Sequence, residues 1–307
     1  MKSQLHYVNI IYLASHHVLA GYALYHLPSV FTYGLVFQLL LAVQLSGMLG
    51  VTAGVHRLWS HKSYEAAWPV RLVFMLANSA AHQGSIYQWT RDHRMHHKHT
   101  DTDLDPHSIQ YGFWYSHIGW IFFRKTEKFR EASQKIQMDD IERDPIVMFQ
   151  HRNYFAMSHL FCFVVPTLYG GYMWNSYWTG YFYFGVLRWV LLLHSTWCVN
   201  SVAHMWGSTP YNPRISSRQN TVTSLIAVGE GWHNYHHTYP YDYRASEFNW
   251  NSEWNPTTLL LDGLSSVGLV WNKKVGSAKT IECAAPSDGL EPSQSPPTQG
   301  TLETPAR

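Results

Sequence analysis

Residues 3–56 contain no Asp, Glu, Lys or Arg, an uncharged run of 54 positions. A membrane-spanning helix needs about 20 apolar residues, so this run holds two spans joined by a tight turn. The turn signal is His26-Leu27-Pro28-Ser29, which places the spans near 7–26 and 30–54. A second uncharged run covers 153–187, and after Arg188 no charge returns until Arg214. It is divided by Gly170-Gly171-Tyr172-Met173-Trp174-Asn175-Ser176-Tyr177-Trp178, a Gly-containing aromatic stretch suited to a turn at a membrane interface. The spans here are expected near 155–174 and 179–202. The chain therefore reads as all-α, an integral membrane four-helix bundle of two hairpins. Two buried hairpins of a large soluble protein are the competing reading, which two such long gaps disfavour. The first hydrophobic region is too long for a cleavable signal peptide and has no convincing small-residue cleavage site.

The polar blocks are 57–152 and 203–283. The first carries 13 Lys and Arg against 11 Asp and Glu, whereas the two turns carry none. With two hairpins, both termini and the central block share one side, and the positive-inside rule makes that side cytoplasmic. The two blocks are expected to form a helical cytosolic cap. From about 284 onward the chain turns Pro- and Ser-rich, the composition of a disordered tail. Net charge is +2 and charged residues are 14% of the whole, against about 25% in ordinary soluble domains. A nucleic-acid binder would show a strong basic excess; none exists. Cys162, Cys198 and Cys283 are too few and too scattered for a disulfide scaffold or a thiolate zinc site.

The chain has 20 histidines, nearly as many as its 22 lysines and arginines. His56 and His61 lie where the second span meets the cytoplasm. His93, His96 and His97 form one triplet, and His233, His236 and His237 repeat its spacing. On a helix, positions i, i+3 and i+4 share a face, so each triplet is expected to aim three imidazoles at one point. Asn200 and His204 form an i, i+4 pair at the end of the fourth span. Neutral imidazole suits iron, zinc and copper, and eight or more such ligands exceed the needs of one ion. Two metals are expected. His16, His17, His159 and His194 lie within spans without a nameable partner, and His99, His107, His117 and His151 read as solvent-facing or structural.

The boxes HRLWSH at 56–61, HRMHH at 93–97 and HNYHH at 233–237 resemble those of the membrane acyl-CoA desaturases of the stearoyl-CoA Δ9 type. So do Gly229-Glu230-Gly231 and Asn200-Ser201-Val202-Ala203-His204, and the resemblance runs from about 9 to 275. It implies four transmembrane helices beneath a cytosolic cap, a di-iron centre, O₂ as cosubstrate and electrons from cytochrome b5 with its NADH-dependent reductase. It also implies an endoplasmic reticulum membrane location. The metal-site positions of the family match His56, His61, His93, His96, His97, His204, His233, His236 and His237, with Asn200 holding a water beside one metal. Removing hydrogen from an unactivated CH₂ needs a potent oxidant, which redox-silent zinc cannot supply. All-histidine ligation separates this pattern from the soluble carboxylate-bridged di-iron bundles.

By the same resemblance, Gln83, Trp89, Thr196 and Trp197 shape the kink of an acyl tunnel, and Gln44 and Met48 lie at its closed end. Arg91, Asp92, Arg124, Lys125 and Asn9 match positions that contact the CoA head. Met48 stands where a small residue accommodates an eighteen-carbon chain. Its thioether is expected to shorten the tunnel by roughly one or two methylenes, each worth about 0.8 kcal/mol of burial, favouring myristoyl or palmitoyl over stearoyl substrates. Gly84 and Leu104 depart from the family pattern, and the chain starts almost at its first span. No His-Pro-Gly-Gly haem-binding signature occurs, so electrons are expected in trans, through a basic docking patch. Regiochemistry other than Δ9, such as Δ11, stays open. So do a related fatty-acyl hydroxylase or acetylenase, an inactive scaffold and, from another class, a His-rich metal transporter.

Overall fold

The computed structural model describes residues 4–276. The tail expected to be disordered, 284–307, lies outside the described residues, as does Cys283. The architecture is helical, in the order α1 (Tyr7–Val30), α2 (Tyr33–Ser60), α3 (Trp68–Ala81), α4 (Ile86–His99), α5 (Phe113–His117), α6 (Glu127–Ser133), α7 (Asp139–Glu142), α8 (Pro145–Arg152), α9 (154–174), α10 (Tyr177–Met205), α11 (Thr221–Ile226), α12 (His233–Thr238) and α13 (Pro256–Ser266). Sheet among the described residues is one antiparallel pair, β1 (Glu65–Ala66) with β2 (Val270–Trp271).

Helices α1, α2, α9 and α10 occupy the places expected for the spans. Two of them, Tyr33–Ser60 and Tyr177–Met205, are long and apolar enough to cross a membrane. The first expected turn is displaced, whereas the second falls inside its expected stretch. Proline within a helix removes a donor and clashes with the preceding turn, yet Pro28 lies inside α1, which continues to Val30. The break instead falls at Phe31 and Thr32, whose hydroxyl accepts from Leu35 N at 3.0 Å and starts α2. The second turn is Asn175-Ser176 alone. Asn175 adopts the left-handed region (φ 48°) and Ser176 Oγ accepts from Thr179 N at 3.1 Å. Gly170 is helical, and a Cβ there would fall into the backbone of Gly180. It thus serves close approach of α9 to α10, as small residues do between spans, rather than a change of direction.

From Ser46 to Ser60, α2 winds as a π-helix, with i→i+5 bonds. Residues 50–60 are all buried. Gly50 lets α3 approach, since a Cβ there would strike the Ala77 carbonyl. Around this segment Val55, Trp59, Phe74, Met75, Ile86, Ile141, Val147 and Leu261 form one apolar core. A second core, with Leu13, Leu35, Leu39, Tyr183, Leu187, Trp189 and Trp197, lies between the long helices. The first core fixes the end of α2 against α3, α4 and α13, and so fixes where His56 and His61 point.

Candidate metal centre

The eight box histidines and His204 come together, but not triplet by triplet. His56, His61, His93, His97 and His236 form one cluster; His96, His204, His233 and His237 form another. Within each cluster the ligand nitrogens lie within 4.8 Å of one another. Each triplet straddles both, against the expectation that three imidazoles converge. The helix explains it. At about 100° per residue, positions 93 and 97 lie about 40° apart, whereas 96 lies about 100° from 97. His93 and His97 therefore face one cluster and His96 the other, and α12 repeats the division with His233 and His237 against His236.

His56 and His61 are five residues apart, a spacing that diverges on an α-helix. The π-type winding closes it, with His61 N donating to His56 O at 3.1 Å and Ser60 Oγ to Val55 O at 2.7 Å. On α4 the reciprocal Ser85–Gln88 capping box fixes the start of the helix that carries the first triplet.

Nε2 atoms face each other across both clusters. The separations are 2.8 Å for His61–His93, 3.0 Å for His56–His236 and 3.1 Å for His97–His236. In the other cluster they are 3.2 Å for His96–His237, 3.1 Å for His204–His233 and 3.0 Å for His233–His237. Imidazole nitrogens about 2.1 Å from a common ion and at right angles to each other would lie about 3.0 Å apart. Not every ring can donate across these contacts. His96 Nδ1 faces both Asp105 oxygens at 2.9 Å, spends its N–H there and presents a bare Nε2 inward. His56 Nδ1 lies at ion-pair distance from Glu230 Oε2, 3.0 Å. The residues present fit two metal ions.

Electrostatics agree. Burial first, then the neighbouring imidazoles, hold His61, His93, His96, His97, His233, His236 and His237 well below the ordinary histidine range. They are neutral at physiological pH, the form that ligates metals. Burial alone would raise the Glu230 carboxyl, but the Arg57 guanidinium and His56 override it and hold it at about 2. Asp105 also receives the backbone N–H groups of Asp101 (2.9 Å) and His107 (3.1 Å). Such partners outside the ligand set orient the imidazoles and raise their basicity.

The sequence reading misses Asp105 and Glu230 as site residues, although Glu230 stands in a motif singled out by resemblance and Asp105 follows Leu104, noted there as a departure. His107 is buried, not solvent-facing, with its ring 4.3 Å from that of His96. His17, His194 and His117 also gain partners. His17 Nε2 meets His194 Nε2 at 3.1 Å, His194 Nδ1 meets His117 Nε2 at 2.9 Å, and His117 Nδ1 meets Ser201 Oγ at 2.9 Å.

The other expected site residues divide between two places. Gln44 and Thr196 line a narrow, mostly apolar cleft between α2, α10 and the end of α11, which Glu230 also borders. Gln83 Nε2 donates to Thr196 Oγ1 at 2.9 Å, and Trp89 stacks on His93 with centroids 4.7 Å apart. Met48, one turn beyond Gln44, does not line this cleft. Trp197 is buried against His17, His117 and His194. Asn200 lies one turn before His204, and its carbonyl accepts from Ser116 Oγ. At the other place Arg91 donates to Asp92, whose second oxygen is 3.4 Å from Lys125 Nζ. Arg124 is exposed beside them, and Asn9 Nδ2 donates to the Ile121 carbonyl at 3.1 Å.

A sequence model of the fatty acid desaturase family matches residues 32–246. The chain is 50% identical over 235 residues to stearoyl-CoA desaturase 5 of Bos taurus, covering 76% of this chain and 70% of that protein. It is 45% identical to stearoyl-CoA desaturase 5 of Homo sapiens, over 89% of this chain and 82% of the relative. With the Delta(9)-fatty-acid desaturase fat-7 of Caenorhabditis elegans the identity is 41%, over 95% and 86%. The two histidine clusters thus belong to a chain that is a member of the fatty acid desaturase family, a family of oxidoreductases.

Proposed function

We propose that this chain is an O₂-dependent acyl-CoA desaturase that introduces a cis Δ9 double bond into a saturated fatty acyl-CoA. The observation that carries the reading is the division of nine buried or half-buried histidines into sets of five and four, inside a chain of the desaturase family. These sets would hold two iron ions, with Asn200 contributing through a water, and bound iron would supply the oxidising power to remove two hydrogens, two further electrons and two protons completing the reduction of O₂ to two waters. Neutral imidazoles keep the ligand set ready at physiological pH. Burial around His56, His96, His204, His233 and His236 keeps bulk water from the reacting carbons. Trp89, Gln83, Thr196 and Trp197 shape the path of the chain, and Gln44 and Met48 set its far end. Arg91, Asp92, Arg124, Lys125 and Asn9 are assigned to the CoA head, whose phosphates call for cationic and amide contacts.

The helices are assigned to a four-span bundle in the endoplasmic reticulum membrane with both termini and the cap cytosolic. Large apolar side chains exposed on the outer faces support it, including Val18, Leu24, Phe37, Leu40 and Leu168. Electrons are assigned to cytochrome b5 and its reductase. Expression in a desaturase-deficient yeast should restore growth without added unsaturated fatty acid. Gas chromatography with mass-spectrometric location of the double bond should show Δ9 products of fourteen to sixteen carbons. No new unsaturated lipid would end the reading; a hydroxylated product would redirect it. In the same strain Met48→Ala should shift the profile toward eighteen carbons, and an unchanged profile would remove Met48 from chain-length control.

A further inference from the structure

We infer that Arg57 and Glu230 form a positioning pair that holds His56 in the five-histidine cluster, an assignment that rests on the two-metal reading above. Arg57 is 1% exposed and Glu230 6%. Isolated burial of either charge would be costly, yet both are kept. Arg57 Nε and Nη2 donate to Glu230 Oε1 at 2.9 and 2.8 Å. Its remaining donors go to the Tyr243 carbonyl (3.0 Å), Thr258 Oγ1 (3.2 Å) and Asn255 Oδ1 (3.3 Å). The guanidinium is thereby bolted to the 243–258 segment. The other Glu230 oxygen faces His56 Nδ1 at 3.0 Å.

The order of the chain makes this a closed device. Consecutive residues supply the imidazole and the cation, and the carboxylate between them comes from the loop before α12. Gly229 delivers Glu230 to that place. It adopts φ +103°, and a Cβ there would lie 2.7 Å from Asn255 Oδ1, the same amide that receives Arg57. Neither Arg57 nor Glu230 has a further donor or acceptor role toward the clusters. The pair acts through His56, by fixing which nitrogen carries the proton and where Nε2 points.

The test uses purified full-length protein loaded with Co²⁺, whose visible absorption reports ligand geometry and whose release to a chelator reports affinity. Wild type should bind two ions, and His236→Ala and His237→Ala give the reference spectra of the four- and five-histidine sites. In Glu230→Gln the ion whose absorption His236→Ala lacks should bind about 10–100-fold more weakly, with the other ion unchanged. Arg57→Lys should fall between this variant and wild type. Where Glu230→Gln folds poorly, Glu230→Asp keeps the charge for Arg57 but draws the carboxylate from His56, and should show the same one-sided loss. Equal release of both ions, or wild-type release of both, would overturn the assignment even if thermal stability dropped. Failure of wild type to bind two ions would strike the two-metal reading itself and the pair with it.

Discussion

The two histidine clusters draw on the same two triplets, yet they are supported in different ways. In the five-histidine cluster, the carboxylate behind His56 comes from a distant segment and is neutralised by Arg57, the residue next to that ligand. In the four-histidine cluster, the carboxylate behind His96 lies nine residues further on, and the donors that meet it at close range are backbone N–H groups of the same turn, from Asp101 and His107. One support is long-range and ionic, the other local and built from the main chain. A local turn keeps its geometry with few neighbours, whereas the ionic support needs α2, the loop before α12 and the 243–258 segment all in place. The support of the five-histidine cluster therefore draws on more distant segments, although both clusters take histidines from α4 and α12.

The largest effects should come from the ligands. His236→Ala and His237→Ala each remove one member of the same triplet but strike different clusters. Each is expected to lose one metal per chain and to abolish product, as measured by elemental analysis and by fatty-acid profiling of expressing cells. If both substitutions released both metals, the clusters would be one site and the comparison would collapse. Next in size is Asp105→Asn, which removes the charge behind His96. It should weaken the four-histidine ion alone by about 10–100-fold, equivalent to about 1.4–2.8 kcal/mol, in competition with a chelator. Loss from the five-histidine cluster instead would show that the supports are not separable.

Much of this was legible in the sequence, for identifiable reasons. Charge-free runs located all four long helices because the absence of Asp, Glu, Lys and Arg is a property of composition, insensitive to local geometry. The ligand residues were legible as types at spacings. Their distribution was not, because the triplet rule treats i, i+3 and i+4 as one direction, and the two clusters divide at the angle between His96 and His97. The partnership of His56 with His61 depends on π-type winding that spacing alone does not reveal. Pro28 reads as a turn because its lost donor and its clash argue against a helix, and the sequence does not show that α1 accommodates it. Gly170 was read likewise, although its freedom is spent on packing against Gly180. Glu230 and Asp105 were invisible as supports, since a carboxylate behind a ligand carries no spacing rule.

A control that reaches both clusters through one helix sharpens the comparison further, and Arg94 provides it. It stands between His93 and His96 on α4 and is bound bidentately to Asp140, with Nη1–Oδ1 at 2.9 Å and Nη2–Oδ2 at 2.7 Å. Its remaining contacts go to the carbonyls of Trp59, Ser60 and Gln137. The clamp sets the rotation of α4, which decides that His93 and His97 face one cluster and His96 the other. Burial would raise the Asp140 carboxyl, but Arg94 and Lys62 outweigh it and lower it from 3.8 to about 2. Because the folded value is the lower one, the clamp contributes its full stability above about pH 4 and loses it as pH falls toward 2. Asp140 is partly exposed, so solvent screening keeps the contribution small. Asp140→Asn should flatten this acid limb of unfolding, followed by circular dichroism in detergent. At neutral pH it should loosen both metals slightly, the five-histidine one more because α4 supplies two of its members and one of the other's, in contrast to the one-sided losses from Glu230 and Asp105. Loss from the four-histidine cluster alone would mean that the clamp does not act through the placing of α4.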